Sequence, residues 1–292
     1  VDGILNVNKP AGITSFRVVA ALRRASGEKR VGHAGTLDPD ATGVLPVCLG
    51  RATRVIEFLS DTSKSYRATV RLGAATDTYD ASGTVTAEGD PSDVTREGVE
   101  KALGRFRGRI HQTPPMYSAL KTAGRPLYAL AREGKTVPRR SRAVTIERLA
   151  LTGWDPPELT LELDCSKGTY VRSLAHDLGQ ALGCGAHLSG LVRTRVGTFR
   201  LEDTVTLEAA ETAFRDGAAA TLLAPLDSVL GDMEPVTITG EEMDAVKKGR
   251  PLGRAIESNG RHLRAYALDG TFVAILHRDK ETGRWRPRKV FV

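Results

Sequence analysis

Apolar positions along the chain fall into short runs of period two mixed with stretches of helical period, without the regular strand and helix alternation of a doubly wound sheet. Residues 64 to 73, KSYRATVRLG, alternate: Tyr66, Ala68, Val70 and Leu72 face one way, and Ser65, Arg67, Thr69 and Arg71 the other. That is the pattern of a half-buried strand. LTLELDC, residues 159 to 165, repeats it with Leu159, Leu161, Leu163 and Cys165 inward. A helix capped by Ser15 and running to about Ala25 places Val18, Val19 and Leu22 inside and stops at Gly27. Further helices are predicted over 51 to 60 (RATRVIEFLS), 92 to 104, 127 to 132 and 207 to 215. From Thr169 to Leu182, Val171, Leu174, Ala175, Leu178 and Leu182 recur at helical spacing, and Gly168 frees the backbone to enter that helix from the preceding strand. Pro225 and the stretch from Gly231 to Pro235 predict a linker. The residues after it read as short strands with turns at SNG (258 to 260) and DG (269 to 270), a small β-rich module.

A chain of 292 residues has room for one large domain and a small one, and 40% hydrophobic with 26% charged residues is an ordinary globular composition. No apolar run approaches a membrane span, and the N-terminus lacks a signal-peptide pattern, so a soluble, cytoplasmic protein is expected. Cys48, Cys165 and Cys184 are odd in number and widely spaced, which predicts buried free thiols. The net charge of +7 is unevenly spread: residues 101 to 142 hold eleven Lys or Arg against one acid, Glu133, so that segment carries +10 and the remainder −3. A localised cationic surface suits a polyanionic partner.

The candidate chemistry lies in VGHAGTLDPDATGVLPVCLG, residues 31 to 50. Pro39 lacks a backbone donor and biases Asp38 away from helical angles, so the carboxylate sits on a bend between two apolar segments, where a nucleophile or base would be placed. The same features suit a plain surface turn, and Asp40 would serve equally well on this pattern.

GHAGTLDPDATGVLPVCLG resembles the active-site motif of the TruB family of pseudouridine synthases, in which a G-x-L-D-P-x-A-x-G run carries the catalytic aspartate. Asp38 matches that aspartate and Asp40 falls on the variable position. LNVNKPAGITS, KSYRATVRLGAATDTYDASG and CSKGTYVRSLAHDLG match the same family in the same order, so the likeness runs from about residue 4 to 191. It is closer to the bacterial enzymes for tRNA uridine 55 than to the guide-RNA-dependent relatives.

The resemblance implies an α+β fold with a mixed, largely antiparallel central sheet and helices, followed by a PUA-like RNA-binding module. It implies a catalytic domain over about residues 1 to 230, with an RNA-gripping insertion at about 106 to 142, and the module over 235 to 292. The implied activity converts uridine 55 in the tRNA T loop to pseudouridine by base flipping. That reaction is redox-neutral and needs no metal, nucleotide or redox cofactor. The implied partner is the tRNA T loop and arm, with no obligatory protein partner, no membrane and a monomeric state.

By the same resemblance, Tyr66 stacks on the target base and assists its deprotonation, although its pattern alone is that of a core tyrosine. Tyr170 and Leu191 line the uridine pocket, and His33 packs where the flipped base leaves its stack. Lys9 and Pro10 fall in a structural segment. Arg172 is the expected partner of Asp38: a guanidinium lowers a carboxylate pKa and fixes it through two parallel hydrogen bonds. A cation in the first turn of a helix also runs against the macrodipole, which favours a nearby anion. Arg125, Arg132, Arg139, Arg140 and Arg142 are candidates for phosphate contact, and HRDKETGRWRPRK at 277 to 289 is a second basic run. The main rival reading is a non-catalytic tRNA-binding or tRNA-folding protein; a guide-dependent catalytic subunit and a metal-dependent nuclease fit the motifs less well.

Overall fold

The computed structural model describes residues 1 to 292 apart from Ala119 and Ala123; the side chains of Lys121, Pro126 and Arg132 also lie outside the described residues. Along the chain run strands β1 (Gly3–Lys9), β2 (Thr42–Leu49), β3 (Lys64–Leu72), β4 (Gly108–Gln112), β5 (Arg142–Asp155), β6 (Glu158–Cys165), β7 (Ala186–Val196) and β8 (Val205–Thr206). They pair in the order β8-β1-β2-β7-β3-β6-β5-β4. The β8–β1 and β7–β2 pairs are parallel and the other neighbours antiparallel, giving the mixed sheet and the α+β class that the family resemblance implied. The helices are α1 (Ser15–Ser26), α2 (Ile56–Ser60), α3 (Arg96–Leu103), α4 (Leu127–Arg132), α5 (Val171–Leu182), α6 (Leu207–Arg215) and α7 (Gly240–Lys247).

The short parallel contact between β7 and β2, Val192 opposite Thr42 and Arg193 opposite Gly43, is a seam between two unlike halves of the sheet. On the β1–β2 side both faces are covered. Leu5, Val7, Leu45 and Val47 pack under α1 and α6, while Ile4, Val44 and Cys48 face the opposite core. On the other side, Val70, Leu161, Leu163 and Ile146 bury against α3 and α5. The reverse face there is a ladder of ion pairs, among them Arg67–Glu162 and Arg148–Glu162. The alternation read in 64 to 73 and 159 to 165 is this one-sided burial.

Several boundaries differ from the sequence reading for local reasons. Thr14, not Ser15, caps α1 by accepting from the Arg17 amide, because the Ser15 hydroxyl is taken up by both backbone groups of Leu37. Residues 50 to 55 form a 3₁₀ turn, so the helix expected over 51 to 60 begins at Ile56. α3 starts at Arg96 behind the cap Thr95. The ends of the basic segment 106 to 142 belong to the central sheet rather than to a separate insertion: residues 108 to 112 form its edge strand β4, which pairs with residues 142 to 146 of β5.

The last part of the chain forms a second sheet of β9 (Glu234–Thr237), β10 (His262–Tyr266), β11 (Phe272–Arg278) and β12 (Trp285–Val290). The predicted DG turn joins β10 to β11, with Gly270 at φ 83°. The module also contains α7, whose start is a capping box between Thr239 and Glu242. The segment predicted as a linker is packed: Leu230 is buried with Ile4, Val44, Ile275 and Phe291 in one shared core. Cys48, Cys165 and Cys184 are free and buried. Burial raises the Cys48 thiol to about 12 and that of Cys165 to about 11, so both stay protonated and unreactive. Among the described residues no helix is long and apolar enough to cross a membrane.

Candidate active site

The segment from Ala34 to Ala41, leading into β2 at the seam, carries Asp38 on the turn closed by the Ala41 amide bonding to the Asp38 carbonyl at 3.2 Å. Beneath it Lys9, buried at the end of β1, donates from Nζ to the carbonyls of Pro10, Pro39 and Ala41 at 2.8, 2.7 and 2.7 Å. Burial lowers the Lys9 ammonium to about 8, although Asp40 and Asp38 pull the other way. Lys9 therefore ties the stretch that follows Asp38, Pro39 to Ala41, to the end of β1. The Asp38 side chain remains 43% exposed, which leaves it reachable from solvent.

Across the seam stands Arg172 in the first turn of α5. This helix has no side-chain cap of its own. Instead Gln112 of β4 accepts from the Tyr170 amide at 3.0 Å and donates to its carbonyl at 3.2 Å, while the Ser173 hydroxyl donates to the Thr113 carbonyl at 2.9 Å. Arg172 is 7% exposed, and its N–H groups are all directed at oxygen. Nε lies 2.9 Å from Asp38 Oδ2 and Nη2 3.0 Å from Oδ1; Nη2 also donates to the Tyr117 carbonyl at 2.8 Å. Nη1 faces the Thr78 carbonyl and Asp80 Oδ2, each at 3.4 Å. The structure thus separates the two carboxylates that the turn pattern alone left level: Asp38 meets the arginine, whereas Asp40 is exposed.

The expectation that Arg172 would bring the Asp38 pKa below its usual value is corrected. The carboxyl lies above it, because burial, with Asp80 adding to it, outweighs the opposing pull of Arg172 and Lys9.

A second cluster backs the first. Tyr66 on β3 lies directly across from Arg193 on β7, and the guanidinium meets the phenol hydroxyl. Arg193 is 1% exposed and donates from Nε to the Val44 carbonyl at 2.7 Å and from Nη2 to the Gly35 carbonyl at 3.0 Å, gripping both ends of the Asp38 segment. Gly43 is required here: its φ is 98°, and a Cβ would lie 2.3 Å from the Arg193 carbonyl oxygen. Burial pushes the Tyr66 phenol above its usual pKa, with Arg193 opposing; the Tyr170 phenol is also raised, chiefly by burial. Leu191, opposite Ala68 and in step with Arg193, packs partly buried beside this pair. His33 ends a short strand beside β2, its Nδ1 buried without a partner among the described residues, and burial followed by Arg193 lowers its pKa.

Asp80 and Arg193 are not among the residues that the sequence singles out. Asp80 sits in TDTYDASG, which reads as turn chemistry. Arg193 had one signal, its period-two spacing from Leu191 on a strand.

The basic candidates divide. Arg140 and Arg142 are exposed. Arg125 pairs with Glu133, which also binds Lys135 at 2.9 Å, and Arg139 donates to the Pro114 carbonyl at 2.9 Å. Arg132 falls outside the described residues as a side chain. In the second basic run, Arg288 and Lys289 are taken up by Glu57 of α2 and Arg286 by Asp279, so this run is less free than its sequence implies.

Comparison with known proteins finds two family models on the chain: TruB family pseudouridylate synthase (N terminal domain) over residues 23–171, and tRNA pseudouridylate synthase B C-terminal domain over residues 172–235. Their boundary falls inside α5, between Val171 and Arg172. The chain is 45% identical over 292 residues to the tRNA pseudouridine synthase B of Dehalococcoides mccartyi, covering 100% of this chain and 97% of that one. It is 52% identical over 252 residues to the protein of the same name from Symbiobacterium thermophilum, covering 85% and 82%. A solved Cbf5-Nop10-Gar1 complex contains a chain that superposes with a TM-score of 0.75 at 27% identity, over 99% of this chain and 85% of that chain. The chain belongs to the TruB family of pseudouridylate synthases.

Proposed function

We infer that this protein is a tRNA pseudouridine synthase that converts uridine 55 of the T loop to pseudouridine. The observation that carries the reading is the reachable Asp38 carboxylate clamped by the fork of Arg172. The reaction breaks the N1 to C1′ bond, turns the base and rejoins it through C5, so its atoms balance with no oxidant, reductant or water consumed. It calls for a carboxylate that attacks the sugar or base covalently, or one that takes a proton from the sugar, and Asp38 has the placement for either route. Arg172 aims that carboxylate. Tyr66 stacks on the flipped base, Leu191 and Tyr170 line the pocket, and His33 stands where the base has left its stack.

Flipping costs a few kcal/mol of unstacking. Stacking in the pocket and phosphate contacts outside it offset that cost, and Arg140 and Arg142 are the exposed candidates for those contacts, joined by Arg125 and Arg139 if RNA displaces their present partners. In this reading residues 1 to 230 are the catalytic domain, 106 to 142 grip the T arm, and 235 to 292 act as a PUA-like RNA-binding module. The protein works as a cytoplasmic monomer with no obligatory protein partner and no cofactor. Incubation of the purified chain with unmodified tRNA, followed by position-resolved mapping, tests this: pseudouridine at position 55 is expected, and tRNA binding without any pseudouridine would leave the folding-protein reading instead.

A further inference from the structure

We propose that Tyr79 and His176 form an aromatic clasp that positions Asp80, and through it Arg172 and Asp38. The inference rests on the roles proposed above for Asp38 and Arg172. Among the described residues Tyr79 is the one non-glycine with positive φ, at 65°. A bulky L side chain is strained there, and such a conformation persists only where surrounding contacts hold it. The strain has a geometric product: Thr78 and Asp80 flank Tyr79, and the reversal between them brings the Thr78 carbonyl and the Asp80 carboxylate to the same Nη1 of Arg172.

Two sets of contacts oppose relaxation. On the backbone, Leu188 donates to the Tyr79 carbonyl and accepts from the Ala81 amide, each at 3.0 Å. On the side chain, the Tyr79 ring lies on the His176 imidazole with centroids 3.9 Å apart and planes 17° from parallel. His176 is one turn beyond Arg172 on α5, so the stack and the ion pair grip the same side of that helix. Asp80 Oδ1 is already bound by the hydroxyls of Thr78 and Ser82 at 2.7 and 2.6 Å, which leaves Oδ2 for the arginine. The imidazole brings ring shape rather than charge to this contact: its Nδ1 is buried without a partner among the described residues, and burial lowers its pKa. Tyr79 and His176 are positioning residues, since neither touches Asp38 or the reacting atoms.

The test is single-turnover pseudouridine formation on unmodified tRNA with saturating full-length enzyme, beside measured tRNA affinity. Tyr79→Ala and His176→Ala should each slow the step about tenfold, with tRNA affinity held within about twofold. Tyr79→Phe and His176→Phe keep a flat ring and should restore about half the rate or more. Tyr79→Gly, which accepts the left-handed backbone but has no ring, should fall between the wild type and Tyr79→Ala. In an Asp80→Asn background, Tyr79→Ala should add little, because the clasp acts through Asp80. If the alanine variants do not fold, the Phe and Gly variants decide. Wild-type rates for both alanine variants, a His176→Phe rate as slow as His176→Ala, or a full multiplicative loss in the Asp80→Asn background would overturn the clasp. Near-normal turnover by Asp38→Asn would instead overturn the proposed function on which it rests.

Discussion

Arg172 and Asp38, 134 positions apart in the chain, meet through two parallel contacts, Nε to Oδ2 at 2.9 Å and Nη2 to Oδ1 at 3.0 Å. A lysine keeps the charge at that place but cannot form the fork, nor reach Thr78, Tyr117 and Asp80 together. Arg172→Lys should therefore reduce single-turnover catalysis by about 10²-fold with tRNA affinity little changed, and Arg172→Ala should do worse. A wild-type single-turnover rate for Arg172→Ala would remove the pair from the mechanism.

The pH profile offers a second check, with opposite signs for two neighbours. The Asp38 carboxyl titrates above its usual value, and a step that needs the carboxylate is lost as pH falls through that pKa. Asp80 is one cause of the rise, so Asp80→Asn should move the acid limb of the single-turnover profile to lower pH. Arg172 opposes the rise, so the residual activity of Arg172→Ala should show its acid limb at higher pH. Shifts in one common direction would contradict this electrostatic assignment.

Salt dependence separates gripping residues from a merely solvated face. Arg140 and Arg142 are exposed, whereas Arg139 is engaged with Pro114. Neutralising Arg140 and Arg142 should flatten the slope of log affinity against log salt by about 0.7 to 0.9 per lost phosphate contact, with the larger affinity loss at low salt. An unchanged slope would show that the two arginines do not meet the RNA backbone.

Lys9 makes a prediction about stability. Its ammonium satisfies three carbonyls around the Asp38 turn, and Lys9→Met leaves them without that donor. Loss of about 2 kcal/mol is expected, measured as a lower urea midpoint at constant m-value, together with slower catalysis. A variant as stable as the wild type would show that the turn holds itself.

What was legible in the sequence follows the range of the interactions involved. The strands at Lys64–Leu72 and Glu158–Cys165 were readable because one-sided burial imprints a period of two. The α5 start was readable from Gly168, but its cap was not, since Gln112 supplies it from another strand. Asp38 and Asp40 were indistinguishable by local pattern; the family motif singled out Asp38, and the physical difference, the contact with Arg172, is brought about by the seam. Asp80 stayed hidden because Thr78 and Ser82 around it serve a turn and an ion pair with the same chemistry. The segment at 225 to 235 reads as a linker from its Pro and Gly, yet Leu230 is buried through contacts with distant Ile4 and Phe291. α7, by contrast, carried a readable signal in Thr239 and Glu242, with a weak apolar stripe behind it.

The most direct test sets Asp38→Asn beside Asp40→Asn, with pseudouridine mapped by position in unmodified tRNA after a single turnover. The account predicts pseudouridine at position 55 from the wild type and from Asp40→Asn, and none from Asp38→Asn despite tRNA binding close to normal. Turnover by Asp38→Asn near the wild-type rate, or its loss in Asp40→Asn instead, would contradict it.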